Sequence, residues 1–375
     1  NATKLRLVLE YVNEQGEWKI WKETLAAEDL SIRLAAASTD KEQAGLLSTN
    51  EDLIGADLAN ALVERGREAR NRGDSEQALK NFALAEAVAQ RGGAPQAQAL
   101  ALNSTGLVHY DRGDYTEALS WYRKSLALSE TLHDDRGAAR TLTNIGALYS
   151  DVGESSLAWE NFQKGLTLGE KLHNDQVTSN ITGNMALLYG RRGDYAHALS
   201  LLKRSYDLIA PGGDKRALSV TFVNLGNVFL WQGDYTQAED YFQKSLAMAE
   251  AGGIKRLTGY ASMSLGHAAE LRGDLRDAIG KYEKSLAICN EVGDKFCIAA
   301  TYSYLGGAVS SLGEHTKALE YFQKSLEIHK AIGDGSEIPL AMARMAAAYN
   351  RKGEFPMALR LAQEAAKLGA ASGFR

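Results

Sequence analysis

The sequence predicts an all-α solenoid of about eight helix–turn–helix units behind a short N-terminal segment of different pattern. Three observations carry this expectation. A glycine followed by an acid returns every 40 residues, at Gly73–Asp74, Gly113–Asp114, Gly153–Glu154, Gly193–Asp194, Gly233–Asp234, Gly273–Asp274, Gly313–Glu314 and Gly353–Glu354. Eight copies without a slip make a repeat array, whose core grows by nearest-neighbour contacts rather than as separate globules. Apolar residues then fall at helical spacing on both sides of each pair, as in Leu142, Ile145, Gly146 and Tyr149. Finally, small residues hold one position on each helix. Gly66, Gly106, Gly146, Ala186, Gly226, Gly266, Gly306 and Ala346 share the first, and Ala78, Ala118, Ala158, Ala198, Ala238, Ala278, Ala318 and Ala358 the second. Two helices approach closely only where the contact lacks bulk.

In chain order, Leu5, Leu7, Leu9 and Tyr11 alternate with other residues as a strand does. Asn13–Gly16 reads as a turn, and residues 17–24, with Trp18, Ile20 and Trp21, as a returning strand. Such a hairpin is marginal alone, so it is expected to cap the first unit or to pair with another chain. Residues 27–37 read as helical, and Thr39-Asp40-Lys41-Glu42 as a capping box before a short helix through Leu47. The expected division is therefore residues 1–52, a β-hairpin with short helices, and 53–375, the repeat array. Within each unit the glycine suits the end of the first helix, where a positive φ is needed. The acid after it suits the start of the second. The four prolines agree: Pro95 and Pro339 fall near starts of first helices, Pro356 in the first turn of a second helix, and Pro211 between units.

Composition excludes several functions. The net charge of −5 is spread along the chain, which argues against nucleic-acid binding. No apolar run is long enough for membrane insertion. The compartment stays open, with the cytoplasm as the default. Cys289 and Cys297 are too few for a disulfide framework. Two small buried side chains are the simpler expectation, although a local bridge fits the spacing. There is no HExxH, GxSxG, Walker or GxGxxG motif, so neither catalytic residues nor a cofactor are expected. His133 and His173 recur 40 apart because they occupy equivalent loops, and no metal site is expected.

Leu142-x-x-Ile145-Gly146-x-x-Tyr149 followed by Ala158-x-x-x-Phe162 resembles the tetratricopeptide repeat signature, over about residues 55–370. The 40-residue period and the missing closing proline resemble the longer repeats of kinesin light chains. The resemblance implies a right-handed superhelix whose first helices line a concave groove for a peptide or protein segment. The N-terminal segment bears a fainter resemblance to the front of bacterial proteins that carry a caspase-like CHAT protease behind such arrays.

Placed on that groove, Asn144, Asn184 and Asn224 form a ladder in register. Asn103, Asn227, Arg140 and Asn180 adjoin it, and His267, Glu270, Tyr304, Arg344 and Asn350 replace the amides toward the C-terminus. An amide offers donors and an acceptor, so a ladder can hold both backbone groups of an extended peptide. The competing reading is that the asparagines serve neighbouring helices, since asparagine is a poor helix former. Two functions follow. One is a non-catalytic scaffold for a protein or peptide ligand. The other is a sensor module of a larger enzyme, a CHAT protease or a kinase, whose catalytic or effector domain would lie C-terminal to the array.

Overall fold

The computed structural model describes residues 17–37 and 39–371, and among them all regular structure is helical. Helices α1 (Glu17–Ala36) and α2 (Asp40–Ser48) lead through a single 3-10 turn, Glu51–Leu53, into eight helix pairs. These are α3 (Ala56–Asn71) with α4 (Ser75–Arg91), α5 (Pro95–Asp111) with α6 (Tyr115–Thr131), and α7 (Asp135–Asp151) with α8 (Ser155–Lys171). Then come α9 (Asp175–Arg191) with α10 (Tyr195–Ile209), α11 (Lys215–Gln232) with α12 (Tyr235–Ala251), and α13 (Lys255–Arg272) with α14 (Leu275–Val292). The last pairs are α15 (Lys295–Ser311) with α16 (His315–Ile332), and α17 (Glu337–Lys352) with α18 (Phe355–Ala371).

The expected N-terminal hairpin is corrected. Residues 17–24, read as a strand, form the start of α1; residues 4–16, the rest of that hairpin, lie outside the described residues. Trp18, Trp21 and Leu25 stand at i, i+3 and i+7, and a run of Ala, Leu and Glu follows. Once a helix nucleates in that run it propagates back through the tryptophans at little cost. α1 packs on the first repeat, with Leu30 and Leu34 buried alongside Leu58 and Leu62. Its C-terminal carbonyls, orphaned by the helix end, are satisfied by Gln77 Nε2 donating to Ala35 O (3.1 Å) and Lys80 Nζ to Ala37 O (2.7 Å).

The chain divides into two compact units. One holds α1 to α4 and most of α5 and α6; the other holds residues 138–375 and the turn Tyr110–Tyr115. Both obey the same local rules. All eight glycines of the Gly-acid pairs take positive φ, between +73° and +95°. The following acid caps the second helix in some repeats: Asp74, Asp194 and Asp234 accept from the N–H three residues on, whereas Asp274 is engaged by Arg272 and makes no cap bond. Glu154 and Glu314 make no such bond. His133 and His173 take φ of 53° and 49° at inter-repeat turns where Gly93, Gly213, Gly253, Gly293 and Gly333 stand elsewhere. Their 40-residue spacing is thus a backbone requirement.

Packing between the two helices of a repeat turns on one pair. At Gly66, Gly106, Gly146, Gly226, Gly266 and Gly306 an added Cβ would lie 2.2–2.6 Å from a ring carbon of Phe82, Tyr122, Phe162, Phe242, Tyr282 and Phe322, respectively. Where the second helix instead carries Leu202 or Ala362, the first carries Ala186 or Ala346. A buried seryl seam ties the same helices: Ser125 Oγ donates to Ala99 O (2.8 Å) and Ser285 Oγ to Gly259 O (2.9 Å). Ser205 with Ser179 and Ser245 with Ser219 pair through their hydroxyls, at 2.7 and 2.9 Å.

The cysteines are also corrected. Cys289 and Cys297 are both buried, as small core side chains would be, and they form a disulfide from α14 to α15. Gly259 makes room for it, since a Cβ there would meet Cys289 Sγ at 2.7 Å.

Candidate functional site: the inner face of repeats three to eight

In the larger unit the first helices touch one another in succession, α9 on α11, α11 on α13, α13 on α15 and α15 on α17. Their row is therefore the inner side of the stack. On each helix a stripe of half-buried and exposed residues runs through positions equivalent to 140, 144, 147 and 151, spaced i, i+4, i+7 and i+11. From repeat three to repeat eight, the second of these positions reads Asn144, Asn184, Asn224, Ser264, Tyr304 and Arg344, all half-buried.

The asparagines hold several kinds of contact. Asn184 Nδ2 donates to Asn180 O one turn back (3.0 Å), so its donor is engaged within its own helix. Asn224 Nδ2 lies across the neighbouring helix, 3.4 Å from where a Cβ on Gly183 would be. Asn144 and Arg140 have polar partners of their own. Asn180 is exposed and receives Gln176 Nε2 at 3.3 Å; Asn227 is half-buried. Asn103 is only 2% exposed and belongs to the smaller unit, which removes it from this surface.

The C-terminal half of the row gathers side chains from three repeats. The rings of His267 and Tyr304 stand 4.9 Å apart, and Tyr304 stacks on Tyr282 at 5.4 Å. Tyr282 Oη donates to Glu270 Oε2 at 2.6 Å. Arg344 donates to the buried hydroxyl of Ser303. Burial raises the Glu270 carboxyl above the usual range, against the opposing pull of Tyr282 and Arg344. Burial, and then the charge of Arg344, lowers the His267 imidazole. Burial also raises the Tyr304 phenol. Nearby, Arg256 Nε meets Asp294 Oδ2 at 2.6 Å, and burial with the Asp294 charge pushes the Tyr260 phenol up to about 12.

The stripe is also apolar in part. Val220, Trp231, Leu271 and Leu340 are 41%, 38%, 42% and 43% exposed on it. Trp231 lies against Gly190, where a Cβ would come within 2.6 Å of the indole. The ladder reading overlooked Trp231, although its place seven residues after Asn224 puts it on the same face. Tyr282 and Ser303 carried no such signal, because they reach the site from the second helix and from a flank. Among the described residues no group of three His, Cys, Asp or Glu could hold a metal, and no helix is long and apolar enough to cross a membrane.

The tetratricopeptide repeat profile matches overlapping windows from residues 57–131 to 297–371 and so spans nearly the whole array. The chain belongs to the tetratricopeptide repeat family. No curated protein matches it in sequence. Solved structures share the fold at low identity. One is a Rap protein complexed with Competence and Sporulation Factor, with TM-score 0.65, 14% identity, and 94% of this chain and 98% of that one covered. Another is the apo form of the quorum sensor NprR from B. thuringiensis, with TM-score 0.55, 14% identity, and 93% and 99% covered. A third is a Signal Transduction ATPase with Numerous Domains protein with a tetratricopeptide repeat sensor, from Pyrococcus horikoshii. It aligns with TM-score 0.56 and 14% identity over 98% of this chain and 58% of that one.

Proposed function

We propose that this tetratricopeptide repeat protein is a non-catalytic binding module that holds an extended peptide, or an extended segment of a partner protein, along the inner face of repeats three to eight. The observation that carries the reading is the register: half-buried polar side chains recur at one position of successive first helices, and exposed apolar side chains lie between them on the same stripe. Polar groups spaced in this way meet the backbone of a strand-like ligand, and the apolar residues give its side chains somewhere to go. Asn144, Asn184 and Asn224 form the amide half of the site, flanked by Arg140, Asn180 and Asn227. His267, Tyr304 and Arg344 form the other half. The Rap protein's complex with Competence and Sporulation Factor, on the same fold, supports a ligand-binding role. The repeat sensor of the Pyrococcus horikoshii protein supports a second reading, a sensor module serving a catalytic or effector domain.

The test is a synthetic peptide array probed with the full chain and with the triple variant Asn144→Ala, Asn184→Ala, Asn224→Ala. Expected is loss of most bound spots with the helical circular dichroism signal retained. A triple variant that binds the same peptides with the same strength refutes the ladder. One that unfolds assigns the amides to structure.

A further inference from the structure

The boundary between repeats six and seven carries a covalent link that no other boundary has, since Cys289 and Cys297 are the only cysteines of the chain. The bond spans the inter-repeat turn at Gly293 and joins the last turn of α14 to the first turn of α15. The walls around it are occupied. A Cβ on Gly259 of α13 would meet Cys289 Sγ at 2.7 Å. Ser285 Oγ stands 3.8 and 4.0 Å from the two sulfurs while hydrogen-bonded to Gly259 O and Thr301 Oγ1. The first turn of α15 is in turn tied to the inner face. Cys297 N–H donates to Asp294 Oδ1 at 3.0 Å, and the other oxygen of that buried carboxylate accepts from Arg256 Nε at 2.6 Å. The Arg256 guanidinium lies 5.6 Å from the ring of Tyr260, which occupies the stripe position equivalent to Arg140. Sulfur atoms that are not bonded sit at van der Waals contact, so two thiols need more room than the bonded pair. A close-packed interior yields that room only by moving a helix.

We infer that the Cys289–Cys297 bond is a redox-sensitive staple that fixes the first turn of α15 and, through Asp294 and Arg256, the inner face at Tyr260. Reduction by two molecules of a small thiol such as glutathione, or by one dithiol, delivers two electrons and two protons. A thiolate of the reductant attacks one sulfur, and a second thiolate resolves the mixed disulfide. The reductant leaves as its own disulfide, and Cys289 and Cys297 become thiols. Cys289 is 2% and Cys297 0% exposed, so the attack requires the turn between α14 and α15 to open first, and reduction follows local opening. Once formed, the thiols push the first turn of α15 away from α14. The cap on Cys297 N–H loosens, Asp294 no longer holds Arg256 in place, and Tyr260 gains freedom on the inner face. A repeat array is stabilised boundary by boundary, so the loosening is confined to repeats six to eight. The device belongs to the fold and does not depend on a bound peptide.

The test is hydrogen exchange, read by mass spectrometry on the full chain in two states. One has the bond intact, shown by the absence of free thiol in denaturant, and the other is reduced with dithiothreitol. A double variant, Cys289→Ala with Cys297→Ala, places at both positions the residue found at equivalent sites, Ala249 and Ala217. The bond restrains the opened chain, so its loss is expected to speed exchange by about tenfold or more in the last turn of α14, the first turn of α15 and the segment from Arg256 to Tyr260. Exchange in α9 to α12 should stay within about twofold. Oxidised glutathione should restore the slow pattern, and the double variant should match the reduced chain with or without reductant. In the oxidised chain, Arg256→Gln should release the segment around Tyr260 while α14 stays protected. Should the double variant fail to fold, the native chain before and after reduction still decides the matter. Equal exchange in the two states across α13 to α15 overturns the staple. Two free thiols persisting after exposure to oxidised glutathione overturn it too, as does an acceleration spread evenly from α7 to α18, which is a global loss of stability. An unchanged Tyr260 segment in Arg256→Gln overturns the link to the inner face.

Discussion

The pairing of glycine with an aromatic ring inside each repeat gives a sharp prediction, that Gly226→Ala is destabilising by itself and becomes harmless when Phe242 is replaced by Leu. A Cβ on Gly226 would lie 2.4, 2.6 and 2.9 Å from Cε1, Cδ1 and Cζ of Phe242. Carbon atoms pack at about 3.5–4.0 Å, so the ring must retreat by about 1 Å in a site where Phe242 is fully buried. Overpacking of this kind costs about 1–3 kcal/mol. Alanine in place of glycine in a helix interior returns about 1 kcal/mol, so the single variant loses roughly 0–2 kcal/mol net. Phe242→Leu alone loses roughly 1–2 kcal/mol through reduced burial and a small cavity. In the double variant the clash is gone while the helix-propensity gain stays. The repeat then copies the native pair Ala186 and Leu202, which share one core cluster. The coupling energy equals the clash, about 1–3 kcal/mol in favour of the double variant. Repeat arrays open locally, so the assay is native-state hydrogen exchange of amides in α11 and α12, supported by urea unfolding. Single-variant effects that add to the double-variant value within about 0.5 kcal/mol would refute the reasoning.

Two further outcomes are expected. Gly193 has φ +81° with nothing within 4 Å of an added Cβ, so Gly193→Val is penalised by backbone conformation alone, about 1–2 kcal/mol. Gly193→Asn should lose less in urea unfolding, and equal losses would contradict the assignment. Glu270 titrates above its ordinary value when folded. Its contribution to stability is therefore whole below the unfolded carboxyl range and is lost as pH rises through the folded value. Glu270→Gln should flatten the thermal stability profile from about pH 5 upward, and a profile parallel to the native protein's would count against it.

How much of this was legible in the sequence differs from element to element. The period, the helix pairs and the positive-φ glycines followed from it, because each depends on residues a few positions apart on one helix or turn. Even His133 and His173 were correctly placed in loops, although only the backbone gives the reason, a left-handed turn. The common register of Asn144, Asn184 and Asn224 could be traced for the same reason, since a 40-residue repeat carries a helix face from one unit to the next. The N-terminal segment went wrong where two periodicities overlapped. Trp18 and Ile20 fit a strand while Trp18, Trp21 and Leu25 fit a helix, and the helix-forming run behind them decided the matter.

What the tertiary structure alone decided lies between helices. Whether Cys289 and Cys297 touch depends on how α14 crosses α15, and spacing along the chain fits two thiols as well as it fits a bridge. The meeting of Glu270, Tyr282, Tyr304, His267 and Arg344 depends on the offset between adjacent repeats, which no pattern within one repeat encodes. Sequence periodicity reports which face of a helix a residue occupies. Only packing sets which face it meets, and with that which groups surround a charge such as Arg344.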